Sequence, residues 1–94
     1  MKVHVHIDHP RMQVNETFTG DNAEAVVAAM KARVARDMPF AMRMMVNAMS
    51  PLRFAQEAVK KYNENMKTSI ALPSTCEEFL QLAEQHGLAT IDPQ

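Results

Sequence analysis

The groups in this chain best suited to chemistry come first. His4-x-His6-x-Asp8 places three potential ligands at alternate positions, and His9 adjoins them. In an extended strand, alternate side chains share a face, so one metal ion could bridge the two imidazoles. The competing reading is a solvent-facing strand surface, because zinc sites take three or four protein ligands and the alternation secures only two. A second candidate is the methionine-rich stretch Met38-Pro39-Phe40-Ala41-Met42-Arg43-Met44-Met45-Val46-Asn47-Ala48-Met49. Six of the nine methionines lie between Met30 and Met49. Thioether sulfur is a soft ligand suited to copper(I), but on a helix Met42 and Met44 project about 200° apart. Methionine more often fills irregular cores and adaptable binding surfaces. Cys76 opens a helix whose dipole lowers a thiol pKa, while the adjacent Glu77 and Glu78 oppose that shift, so the cysteine reads as a small filler. His86, in the last turn of the same helix, is suited to its terminal carbonyls. None of these groups has a partner that would make it a catalyst.

The elements that must position these groups are legible from patterning. Val3, Val5 and Ile7 alternate with Lys2, His4, His6 and Asp8. Met12, Val14 and Phe18 alternate with Arg11, Gln13, Asn15 and Thr17. Both runs have the period of half-buried strands, so a β-hairpin over about residues 2–18 is expected. Its loop length is open, although Pro10 suits the first central position of a turn. Glu16 interrupts the apolar face and is expected at an edge or the rim of the sheet. Asp21 with Glu24 resembles a capping box, and helices are expected over about 22–37, 39–49, 51–66 and 75–86.

The first helix carries the stripe Val26, Val27, Met30 and Val34. In the second, Met42, Met45, Val46 and Met49 form one stripe that the domain can bury itself. Phe40 and Met44 lie roughly opposite, and Arg43 and Asn47 form the polar wedge. The third starts at Ser50-Pro51, buries Leu52, Ala55, Ala58, Val59, Tyr62 and Met66, and spaces Arg53–Glu57, Glu57–Lys61 and Lys60–Glu64 for ion pairs. The fourth starts at Ser74 with Glu77 or Thr75 with Glu78, buries Phe79, Leu80, Leu82 and Ala83, and closes at Gly87-Leu88. Residues 67–73 read as an extended connection or a short third strand, Ala89-Thr90-Ile91 offers a return to the sheet, and Asp92-Pro93-Gln94 reads as a tail. The fold class expected is α+β: an N-terminal hairpin, with room for one more strand, packed on three to four helices in one domain, residues 1–94.

Composition narrows the function classes. Apolar content is 47% and charged content 22%, with a net charge of −1, so no global field favours nucleic acid or an anionic membrane. No apolar run approaches the roughly 18 residues that span a bilayer, and no signal segment opens the chain. A single cysteine fits a reducing, cytoplasmic setting. Two glycines, Gly20 and Gly87, exclude a glycine-rich phosphate loop. Residues 51–67 set four cations among two acids, whereas residues 68–94 hold four acids and no Lys or Arg. A helix-turn-helix across residues 39–66 would therefore present only a modest charge to DNA.

The pattern Phe18-Thr19-Gly20, Glu24-x-Val26-Val27-x-x-Met30, then Glu78-Phe79-Leu80 and Gly87-Leu88, resembles small uncharacterised bacterial proteins built from a hairpin and helices. The resemblance covers the two ends of the chain and skips the methionine-rich middle. It implies a hairpin-plus-helices fold and no function.

The preferred reading is a non-enzymatic interaction or oligomerisation module without a cofactor. Its partner surface would be Phe40, Met42, Met44, Met45 and Met49, and its partner a second copy, as a dimer, or another protein. The alternatives are a metal-binding protein using His4, His6, Asp8 and His9, and a small DNA-binding regulator.

Overall fold

A computed structural model describes residues 1–10 and 12–92, with only the backbone described at Met12. The expected position of Arg11 on the polar face of its strand, that of the Met12 side chain on the apolar face, and residues 93–94 of the expected tail lie outside the described residues, while Asp92, expected in that tail, instead ends a strand opposite Lys2. In order, the elements are β1 (Lys2–His9), β2 (Met12–Thr19), α1 (Ala23–Arg36), α2 (Phe40–Asn47), α3 (Pro51–Met66), α4 (Cys76–Gln85) and β3 (Ala89–Asp92). The fold is α+β, with a three-stranded antiparallel sheet in the order β2-β1-β3.

Alternation makes the hairpin two-faced. Val3 is buried and Val5, Ile7, Val14 and Phe18 are half-buried, while Lys2, His4, His6, Asp8, Gln13, Asn15 and Thr17 are exposed. His9 pairs with Met12, so the loop has two residues, with Pro10 at its first position. Glu16 sits on the edge strand and meets Arg33 of α1 at 2.8 Å. The helix above the sheet thus matches the one charge in its apolar face.

Short-range hydrogen bonds set the helix ends. Asn22 caps α1, its side chain accepting from Ala25 N at 2.8 Å, so the cap lies one residue beyond the expected Asp21. Ser50 accepts from Arg53 N at 3.1 Å and Thr75 from Glu78 N at 3.0 Å. The Glu78 carboxylate reaches back to Ser74 N at 3.3 Å. Gly87 has φ +72, Leu88 N donates to Ala83 O at 2.8 Å and Gly87 N to Glu84 O at 3.1 Å. Those two bonds close α4 as a Schellman motif.

α1 packs on β2 and α4 on β3, and α3 lies against both helices. The core they enclose is Val3, Ala23, Val26, Val27, Met30, Ala55, Cys76, Leu80 and Ala89. Two local expectations are corrected. Val34 is exposed and Ala35 is buried, so the buried side of α1 turns towards Ala35 at its C-terminal end. On α3, Glu57 is shared by Arg53 at 3.4 Å and Lys60 at 3.3 Å, while Lys61 pairs with Glu64 at 3.7 Å. Several partners lie within reach on a helix surface, and rotamers select among them. The third strand is β3, as Ala89-Thr90-Ile91 offered, and residues 67–73 are the extended connection. Asn63 holds that segment against α3, donating to Ile70 O at 2.9 Å and accepting from Ile70 N at 3.0 Å and Thr68 Oγ1 at 2.7 Å. Gln56 adds a bond to Pro73 O at 3.0 Å.

Candidate functional site

Pro39 starts α2 without a side-chain cap, and the helix is only eight residues long. So short a helix is marginal alone and depends on what it packs against. It packs chiefly on α1. Val46 is its one buried residue, with Arg43 and Met49 half-buried. Lys31 of α1 donates to Met49 O at 2.7 Å and to Asn47 O at 3.4 Å, satisfying carbonyls at the end of α2. The sequence reading missed Lys31. Its position inside the stripe between Val27 and Val34, where a cation has no apolar role, was the available signal.

The contact centred on Val46 leaves most of α2 uncovered. Phe40 is 68% exposed, Met42 52%, Met44 58% and Met45 66%. Phe40 and Met44 were expected outside. Met42 and Met45 were expected on the self-buried stripe with Val46 and Met49, and this is corrected. The helix is rolled so that its contact runs from Val46 towards Arg43, carrying Met42 and Met45 out of it. At 100° per residue the four exposed side chains span more than half of the circumference. The Arg43 guanidinium lies 5.8 Å from the Phe40 ring centroid, the one charge on this surface and in cation–π range.

The open face of the sheet carries the histidines. His4 Nε2 lies 2.6 Å from Asn15 Oδ1, His6 Nε2 lies 3.2 Å from Thr90 Oγ1, and the two rings are 5.5 Å apart. Asp8 is exposed on the same face, whereas His9 falls at an odd position, on the side that the helices cover. Among the described residues, no three His, Cys, Asp or Glu side chains gather as a metal ion would require. Strand alternation is the physical reason: it aligns His4 with His6 and sends His9 away.

Cys76 is buried at the start of α4, in the wall of a hollow of about 400 Å³. The hollow is lined also by the three caps Asn22, Ser50 and Thr75 and by Glu24 and Glu77. Burial, with a smaller contribution from Glu24, pushes the thiol pKa up. The thiol therefore stays protonated where a nucleophile would ionise. Alkylation of Cys76 by iodoacetamide is expected to run at least about tenfold slower in the folded protein than in denaturant. Equal rates in the two states would contradict this placement.

In a helix-turn-helix across residues 39–66 the helix that opens at Ser50-Pro51, α3, would read DNA, and its Arg53, Lys60 and Lys61 each lie within 4 Å of Glu57 or Glu64. No helix of the described residues is long and apolar enough to cross a membrane. The chain matches no protein-family model, no curated protein and no solved structure.

Proposed function

We propose that this chain is a non-enzymatic interaction module of a cytoplasmic setting, with the uncovered side of α2 as its partner surface. The partner is a second copy of the chain or another protein with an apolar groove. One observation carries the reading. A helix of eight residues exposes Phe40, Met42, Met44 and Met45 together, each more than half to solvent. Single exposed apolar side chains are ordinary on a protein surface, but a contiguous group is characteristic of interfaces. Three of the four are methionines, whose unbranched side chains conform to differently shaped surfaces. Covering them yields roughly 25 cal/mol per Å² of apolar area, before ordering costs are subtracted. Met49, half-buried two residues beyond α2, is the least exposed of the five residues assigned to this surface.

The test is the solution mass of the chain against concentration, with the double variant Phe40→Ser/Met44→Ser beside it. Both replaced side chains are exposed, so the variant keeps the core. The expected result is binding, to itself or to a captured protein, weakened by about tenfold or more in the variant, since two large apolar anchors are lost. Binding that is indifferent to the double substitution would remove α2 from the interface.

A further inference from the structure

We propose that the free edge of β2 pairs with the same strand of a second copy, antiparallel about a two-fold axis, joining two three-stranded sheets into one of six strands. This surface is distinct from α2 and rests on different residues. In the order β2-β1-β3, β2 is an edge along its whole length, and among the described residues no element lies beyond it. Three hydrogen bonds settle which way its backbone faces. Met1 N donates to Gly20 O at 2.8 Å and Gly20 N to Met1 O at 3.1 Å, so even-numbered positions at this end turn towards β1. His6 N donates to Leu88 O at 2.9 Å, so even positions of β1 turn towards β3, and the odd ones meet their even partners in β2. Gln13, Asn15, Thr17 and Thr19 therefore direct their N–H and C=O groups outwards.

Natural edges are commonly blocked by lysine, proline, a bulge or an inward charge. Of these, β2 carries only the inward charge Glu16, which Arg33 of α1 already pairs at 2.8 Å, and the four outward residues carry no lysine or proline. Their side chains are uncharged and exposed on the open face of the sheet.

Three features favour a second copy over an extended peptide. A strand added beyond β2 presents every other side chain on the helix side, where Val14 and Phe18 are half-buried at the rim. A lone peptide leaves those side chains uncovered, while a second copy brings its own α1. Odd positions must face odd positions to keep the faces matched. The register Gln13 opposite Thr19 and Asn15 opposite Thr17 then uses all four outward residues, for about eight hydrogen bonds between copies. That register places Glu16 opposite Glu16 at the axis. Two bare carboxylates there would repel, but each is already 2.8 Å from Arg33, which also pairs with Asp37, and Arg36 lies 3.7 Å from Asp37, so two four-residue clusters of zero net charge meet.

Amide hydrogen exchange and mass, followed over a range of concentrations, test this directly. In the Phe40→Ser/Met44→Ser background, which sets aside association through α2, the mass at high concentration is expected to reach twice 10.6 kDa, with the amides of Gln13, Asn15, Thr17 and Thr19 protected. On dilution these four exchange freely while Val14, Glu16 and Phe18 stay protected by β1. Thr17→Pro deletes an outward N–H and leaves the bonds to β1 intact, so the hairpin stays folded and association weakens by about tenfold or more. Three results would overturn the proposal: outward amides unprotected in the associated state, Thr17→Pro associating like the parent, or outward amides protected at monomer mass. The last would show a different extended segment on this edge.

Discussion

Leu80→Ala is expected to lower the free energy of unfolding by about 3 kcal/mol, from lost transfer energy together with the cavity left behind. Leu80 is 1% exposed and is among the largest fully buried side chains. The other buried members of its cluster are Val3, Ala23, Val26, Val27, Ala55, Cys76 and Ala89, with Met30 the longest of them. Valine has a stiff χ1 and alanine has no reach, so most of the wall cannot move in to fill the space. A domain of this size has roughly 5–10 kcal/mol in total, so this one truncation removes a large share of it. Urea denaturation of Leu80→Ala beside Leu72→Ala is the measurement. Leu72 is exposed, and its truncation should cost less than about 1 kcal/mol. Equal losses at the two sites would mean that Leu80 is not the centre of the core.

Gly20→Ala is expected to destabilise by about 2 kcal/mol, through overpacking against backbone. A Cβ at Gly20 would lie 2.8 Å from Ala25 Cβ, 2.9 Å from Val26 N and 3.0 Å from Ala25 C. All three atoms lie in the first turn of α1, whose Val26 is fully buried, and two of them, Val26 N and Ala25 C, are backbone and cannot yield by a rotamer change. Gly20 also exchanges two hydrogen bonds with Met1, which hold it in register beside the sheet. Adding Ala25→Gly removes the closest atom but leaves Val26 N in place, so only partial rescue is expected. Thermal or urea unfolding of the single and double variants tests this. A single variant within about 0.5 kcal/mol of the parent would show that the β2–α1 corner opens easily.

How much could be read from the sequence depended on the range of the interaction. The hairpin was legible because Val3, Val5 and Ile7 announce a buried face within seven residues. Ser50 and Gly87 were legible because caps are satisfied three to five residues away. The slip from Asp21 to Asn22 is a local failure: both side chains can cap, and one residue of helix start separates them. The candidate surface was half legible. Phe40 and Met44 are exposed as expected, whereas Met42 and Met45 are exposed because α2 meets α1 through Val46 and is held there by Lys31. Helical projection lists the faces a helix has but does not choose the one that docks.

The sequence alone determined the alternation of β1 and β2, the Ser50 cap of α3, the Gly87 close of α4, the methionine content of α2 and the balance of charge. Each follows from residue type and spacing along a few turns of chain. Tertiary structure decided that β3 and not residues 67–73 completes the sheet, that β2 is left as an edge, and that four large side chains of α2 stay in solvent. Those outcomes depend on contacts between residues far apart in the chain, such as His6 with Leu88 and Lys31 with Met49, whose geometry no local pattern encodes.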